Sequence, residues 1–180
     1  MSGQITTTEI PVWLEREFRF DLPADLYPNL RARVRGTPAR LEELTRGLSR
    51  NILTRQVNGK WSILENAGYL LHVERLWTAR LDEFLAGAER LTPANFADPR
   101  ANEASGNIRP LAEILAEFRA SRTAFADRLE GLPADVFARV AHHPRLNQPI
   151  RLVDHLHFIA EHDDQHLARI WELRQQLASK

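Results

Sequence analysis

Apolar residues recur at helical spacing over four stretches of the chain. Leu41, Leu44, Leu48 and Ile52 follow one another three or four positions apart, the period that lines one face of an α-helix. Thr37-Pro38 ahead of them has the form of a helix start, threonine at the N-cap and proline at the first helical position. Ser62-Ile63-Leu64-Glu65 reads as a capping box. The helix it opens should run to about Ala86, with Gly87 past its end and Leu64, Tyr69, Leu76 and Phe84 on its apolar surface. A third helix begins near Arg109-Pro110, carries the stripe Leu111, Ile114, Leu115, Phe118, Phe125 and Leu129, and stops at Gly131. Pro149 can open a fourth, reaching about Leu177.

The segments between are shorter or less regular. Residues 1–21, with Trp13, Phe18 and Phe20, read as an irregular or short extended arm, and a short helix follows between Pro28 and Arg35. Residues 53–60 form a loop around Asn58-Gly59. Residues 87–108 are a polar connection with Pro93, Pro99 and Gly106, long enough to suggest a functional role or an unrecognised short element. A turn or short helix lies near Pro133–Arg139, then a loop at His142-His143-Pro144. No strand pattern, internal repeat or low-complexity segment stands out. The fold expected is all-α: a four-helix bundle with short extra helices. It makes one domain over 1–180, with its core at about 37–177 and an arm and short helix over 1–36.

Composition narrows the function classes. A chain of 180 residues with 43% hydrophobic content suits a single packed core and excludes wholesale disorder. A formal net charge of +0 gives no drive toward a nucleic-acid backbone or an anionic membrane. No apolar run approaches the roughly 20 residues needed to cross a bilayer, and the start of the chain lacks a signal-peptide profile. A soluble cytoplasmic protein is expected. The absence of cysteine removes disulfides, thiolate ligands and cysteine nucleophiles together.

Histidine carries the sharpest chemical signal. Glu161-His162-Asp163-Asp164-Gln165-His166 puts two imidazoles four residues apart, on one face of a helix and one turn apart. Two imidazoles so placed can share a divalent ion. On a wheel with His155 at zero, His162 falls at about −20° and His166 at about +20°, among Phe158, Ile159, Ile170 and Leu173. The pair therefore faces the core, where its nitrogens need protein partners or a metal. His155 shares the face but lies about 10 Å from His162 along the axis, too far to share its ion. His72, on another helix, is the better third ligand. His142 and His143 read as surface residues in a loop, and His157 points away from the pair. Glu161, Asp163 and Asp164 are candidates to orient the imidazoles, though a solvated flank is the commoner role. Asp154 and Arg151 read as a local pair, Glu65 as a capping residue, and Glu74 as a general base only if it faces inward. There is no Gly-rich phosphate loop, no G-x-S-x-G elbow and no His-Glu-x-x-His.

Trp61-Ser62-Ile63-x-Glu65-Asn66-x-Gly68, His143-Pro144-Arg145-Leu146 with Pro149 and Asp154, and Ala160-Glu161-His162-Asp163-Asp164-Gln165-His166-Leu167 together resemble the DinB/YfiT-like superfamily, over about residues 13–175. The resemblance implies an up-down-down-up four-helix bundle and a tendency to form homodimers. It also implies a nickel, zinc or similar divalent ion held by three histidines, two of them matching His162 and His166. Relatives include thiol transferases and a maleylpyruvate isomerase. The family's first histidine corresponds here to Tyr69, with His72 three residues on. His72 is the preferred replacement, by a small helix shift; the other outcome is that Tyr69 fills the site and metal is weak or lost.

Two functions follow. One is a metal-dependent enzyme, a small-molecule transferase or hydrolase, with a divalent ion on His72, His162 and His166 and, lacking cysteine, any thiol supplied as a low-molecular-weight cosubstrate. The other is a non-catalytic bundle that binds a small molecule or partner and keeps a degenerate metal site.

Overall fold

The computed structural model describes residues 10–95 and 107–178, so part of the 87–108 connection and the first residues of the arm lie outside the described residues. Four helical rods form the bundle. The first is α1 (Tyr27–Arg35) followed by α2 (Thr37–Thr45). After the short α3 (Arg50–Thr54), α4 (Ile63–His72) and α5 (Glu74–Ala86) make the second. The others are α6 (Leu111–Glu130) and α7 (Leu152–Ala178). Both α6 and α7 pack against the first and second rods.

Local chemistry explains where the rods start and stop. The capping box is present: Ser62 Oγ accepts from the Glu65 amide and the Glu65 carboxylate accepts from the Ser62 amide. Gly87 ends α5 in the left-handed conformation, φ 72°, with Ala88 N–H bonded to Glu83 O and Gly87 N–H to Phe84 O, a Schellman ending that a residue with a Cβ disfavours. Asn58 (φ 53°) and Gly59 (φ 68°) are both left-handed between the paired residues Val57 and Lys60, as a tight two-residue hairpin turn requires.

Besides the division at Val73 of the helix expected to run unbroken to about Ala86, three expectations need correction. Thr37 is not a cap: Gly36 occupies that position, without a side-chain cap bond, and the Thr37 hydroxyl donates instead to Asp163, 2.7 Å away. The Leu41–Ile52 stripe is not one helix. It breaks after Thr45, passes Gly47 (φ 73°), and restarts at α3 under a Ser49 cap, so its apolar period spans two helices. The third correction is a strand pair, β1 (Val140–His143) against β2 (Gln148–Arg151), antiparallel with His142 opposite Pro149. Four residues of alternation are too short a signal, and Pro149 read as a helix opener; it sits on a two-stranded ribbon, where a missing N–H is tolerated. The Glu89–Leu91 backbone flanks β1 on its other side, through His142 N–H to Glu89 O and Leu91 N–H to His142 O.

The apolar core is divided in two. Leu30, Val34, Trp77, Leu81, Phe125, Leu129, Leu156 and Ile159 belong to one half, and Leu41, Leu64, Leu70, Ile114, Phe118, Leu167 and Ile170 to the other. Between them each rod contributes a buried polar residue: Thr37, Glu74, Arg122 and Asp163. Arg122 donates Nε to Glu74 (3.1 Å), Nη2 to Glu74 (2.6 Å) and Asp163 (3.2 Å), and Nη1 to Asp163 and to the Val34 carbonyl (3.0 Å). Val34 O is available because Pro38, four residues on, has no N–H to give it. Glu74 is thus an ion-pair partner, not a general base. Replacing Arg122 with methionine would leave two buried carboxylates without a counter-charge, a loss expected to be about 3–5 kcal/mol and read as a lower urea midpoint. A change within about 1 kcal/mol would contradict the structural role given to this layer.

Candidate metal centre

His162 and His166 emerge from α7 one turn apart, with ring centroids 4.7 Å from each other. The wheel prediction holds for His162, which is buried; His166 is half-buried. Tyr69 of α4 stands beside both, its ring 5.9 Å from His162 and 5.3 Å from His166. Trp61 covers Tyr69 at 4.9 Å and stacks over His166 at 6.2 Å. From the other side Trp13 meets His162 edge-on at 5.2 Å, and Trp77 does so at 5.4 Å. The N-terminal arm thus roofs the pair. Ion pairing of Arg16 with Glu161 (2.7 Å) and a bond from Gln165 to the Pro11 carbonyl (2.7 Å) hold the arm to α7.

The orienting group for His166 comes from α4. Asn66 donates its amide N–H to the Ser62 carbonyl (2.7 Å), which fixes the amide so that Oδ1 faces His166 Nδ1 at 2.9 Å. Nδ1 then carries the proton and Nε2 keeps its lone pair, the arrangement a metal-ligating imidazole needs. Sequence reasoning looked for this role among the acids; Asn66, inside the quoted motif, is the signal it passed over. None of the three acids does it. Glu161 pairs with Arg16 and Arg33, Asp164 with Arg33 and Arg40, and Asp163 serves Arg122. Asp163 Oδ1 is 3.9 Å from His162 Nδ1, beyond hydrogen-bond reach, and His162 Nδ1 is buried without a partner.

His72 does not join this pair in a metal-binding group. It ends α4, 6.0 Å from the Tyr69 ring, and with Tyr69, Leu76 and Thr92 it lines a neighbouring cleft of about 250 Å³. Among the described residues no three His, Cys, Asp or Glu side chains are grouped to hold an ion. The donors that would be offered to a divalent cation are two neutral imidazoles, with a phenol beside them. Burial pushes the Tyr69 phenol above its ordinary value, so it remains protonated at neutral pH and is a poor third ligand for zinc.

One other histidine departs from expectation. His143, expected at the surface, is fully buried; Leu146 N–H donates to its Nδ1 (3.2 Å) and Arg80 Nη1 lies 3.0 Å from its Nε2. His155 is buried with neither ring nitrogen partnered, against Trp77, Phe84 and Phe158. His157 is half-buried beside Phe20. The Arg151–Asp154 pair forms as expected, at 2.6 Å.

With this geometry in view, the comparisons with known proteins are specific about family. The DinB superfamily model matches residues 33–170. The chain belongs to the DinB superfamily. Among solved structures, YfiT from Bacillus subtilis, described as a probable metal-dependent hydrolase with an unusual four-helix bundle topology, superposes with a TM-score of 0.79 at 18% identity, over 91% of this chain and 94% of that one. That likeness establishes the fold. No curated protein sequence matches the chain significantly. No helix among the described residues is long and apolar enough to cross a membrane.

Burial holds the imidazoles neutral. It lowers His155 and His162, lowers His166 well below the ordinary value with help from His162, and together with the positive charges of Arg80 and Arg145 brings His143 to about 3. The unfolded chain takes up protons near 6.5 that the folded chain refuses. Stability from these groups is therefore complete above that value and declines as pH falls. Each imidazole inside its window contributes a slope of about 1.4 kcal/mol per pH unit. Urea unfolding should show a marked loss between about pH 7 and about pH 5; a flat profile over that range would contradict it.

Proposed function

We propose that this DinB-superfamily protein is a small-molecule hydrolase or transferase that uses a divalent ion, zinc or nickel, held by His162 and His166. The observation that carries the reading is the neutral imidazole pair 4.7 Å apart, one member fixed by Asn66 with its Nε2 lone pair free. The description of the YfiT neighbour as a probable metal-dependent hydrolase supports it. When bound, such an ion would polarise a carbonyl or lower the pKa of a bound water or thiol. The protein's own groups do the rest. Tyr69, protonated beside both imidazoles, can donate a hydrogen bond to an oxygen of the substrate. Trp13, Trp61 and Trp77 exclude water and give the substrate an apolar wall. A thiol, if one takes part, comes from a low-molecular-weight cosubstrate, since the chain has no cysteine.

A second reading rests on Tyr69 itself. A phenol where a third imidazole would complete the set favours a non-catalytic bundle that binds a small molecule and keeps only a weak metal site. Metal analysis of untagged protein separates the two. The enzyme reading expects uptake of about one equivalent of zinc or nickel, lost in His162→Ala and His166→Ala, and an affinity raised about tenfold or more in Tyr69→His as a third imidazole is restored. Less than about 0.1 equivalent after titration would leave the binding-module reading.

A further inference from the structure

Arg145 lacks the carboxylate partner that Arg16, Arg33 and Arg122 have. Arg16 has Glu161, Arg33 has Glu161 and Asp164, and Arg122 has Glu74 and Asp163. Among the described residues no carboxylate pairs with Arg145. Its Nη2 donates to the Trp13 carbonyl (2.6 Å), but Nη1 is buried without a hydrogen-bond partner. The guanidinium lies over aromatic rings, 4.9 Å from Trp13, 5.5 Å from Phe158 and 5.9 Å from Phe18. Arg80, which lies over the Trp77 ring, is hydrogen-bonded to neutral groups, His143 and the Thr92 carbonyl, with the charge of Glu83 acting at longer range. Phe158 connects this cation to the histidine pair, since Trp13 contacts Phe158 at 5.1 Å and His162 at 5.2 Å. The same ring of residues holds two more buried polar atoms without partners, Trp77 Nε1, a donor, and His162 Nδ1.

Burying a guanidinium donor with no acceptor is costly, and a ligand that supplies one recovers that cost. We infer that Arg145 reads a carboxylate on a small, largely apolar ligand bound against the N-terminal arm, in the cleft of about 440 Å³ that Arg145 lines with Leu14, Glu15, Arg16, Glu17, Phe18 and Leu146. One unpaired guanidinium in an aromatic surround suits a single negative charge; a phosphate would demand more donors than the residues present offer. The inference deepens the small-molecule reading of the site but rests only on that part of it, not on the ion.

The test is an NMR titration of ¹⁵N-labelled, untagged protein, stripped of metal with EDTA, with benzoate and its neutral counterpart benzamide as probes. Benzoate should bind about tenfold more tightly than benzamide, shift the Arg145 Nε–H signal, and fall to the benzamide level in Arg145→Met. Arg145→Lys keeps the charge but loses the fork and should weaken benzoate measurably; it also serves if the methionine variant does not fold. Equal affinity for the two probes, no benzoate binding at about 20 mM, or wild-type affinity in the Arg145 variants would overturn the inference. Benzoate binding that needs added zinc and is lost in His166→Ala but not in Arg145→Met would overturn it while favouring the ion. Arg145-dependent binding to a protein that takes up no ion would sustain it while the metal reading fell.

Discussion

A single buried guanidinium sets the relation of the four rods to one another. Arg122 is wholly buried and reaches three other rods: Glu74 on the second, Asp163 on the fourth and the Val34 carbonyl on the first. A buried ion pair gives little net stability compared with apolar packing, because desolvation offsets most of the attraction. It does fix register. An apolar face can slide by a turn and still bury its surface, whereas a guanidinium whose donors are committed to three rods cannot. The two carboxylates are not equivalent. Asp163, beside Arg122 and accepting from Thr37, is held well below the usual carboxylate range; Glu74 is pushed up by burial and by the charge of Asp163. One cation shared by two buried acids leaves the second acid reluctant to ionise.

This layer decides where the histidines can lie. Asp163 points into the bundle axis, so His162, one residue earlier and about 100° round the helix, faces the seam between α7 and the second rod instead of the centre. The candidate site is therefore lateral. It has the bundle on one side and needs a cover on the other, which the arm supplies through Trp13. Arg33 and Arg40, both in the first rod, and Arg16 of the arm converge on Glu161 and Asp164 of α7, so the acids next to the histidines act as anchors for the roof.

The rods were legible because apolar periodicity and end chemistry agree. The Ser62 capping box, the Gly131 stop and the Gly87 ending all appear where the residues predict them. Periodicity failed where an apolar stripe crosses a break, as at Thr45, because the stripe records burial and not backbone continuity. It also failed at His143, where a short ribbon folds a polar-looking segment into the core. On the site, the α7 spacing puts His162 and His166 side by side, and the structure brings Tyr69 against both. What could not be read was which residue of α4 would lie against the pair. Tyr69 and His72 are about 60° apart on the helix, and only the packing of the second rod decides between them.

The two imidazoles are chemically unequal, and that bears on what any ligand would meet. His166 has a fixed tautomer, with Asn66 accepting its Nδ1 proton and the ring half-open to solvent. His162 is buried, its Nδ1 has no partner, and the acid beside it is committed to Arg122. Asp163 Oδ1, 3.9 Å from His162 Nδ1, acts on it only through its charge, so the His162 tautomer is less firmly held than that of His166. A site with one committed nitrogen, one uncommitted imidazole and a protonated phenol is less preorganised for a metal than three oriented histidines would be. It is correspondingly better suited to a ligand that brings its own hydrogen-bonding groups. Tyr69 thus changes more than the number of imidazoles, because it sets a protonated phenol, a hydrogen-bond donor, beside two neutral rings.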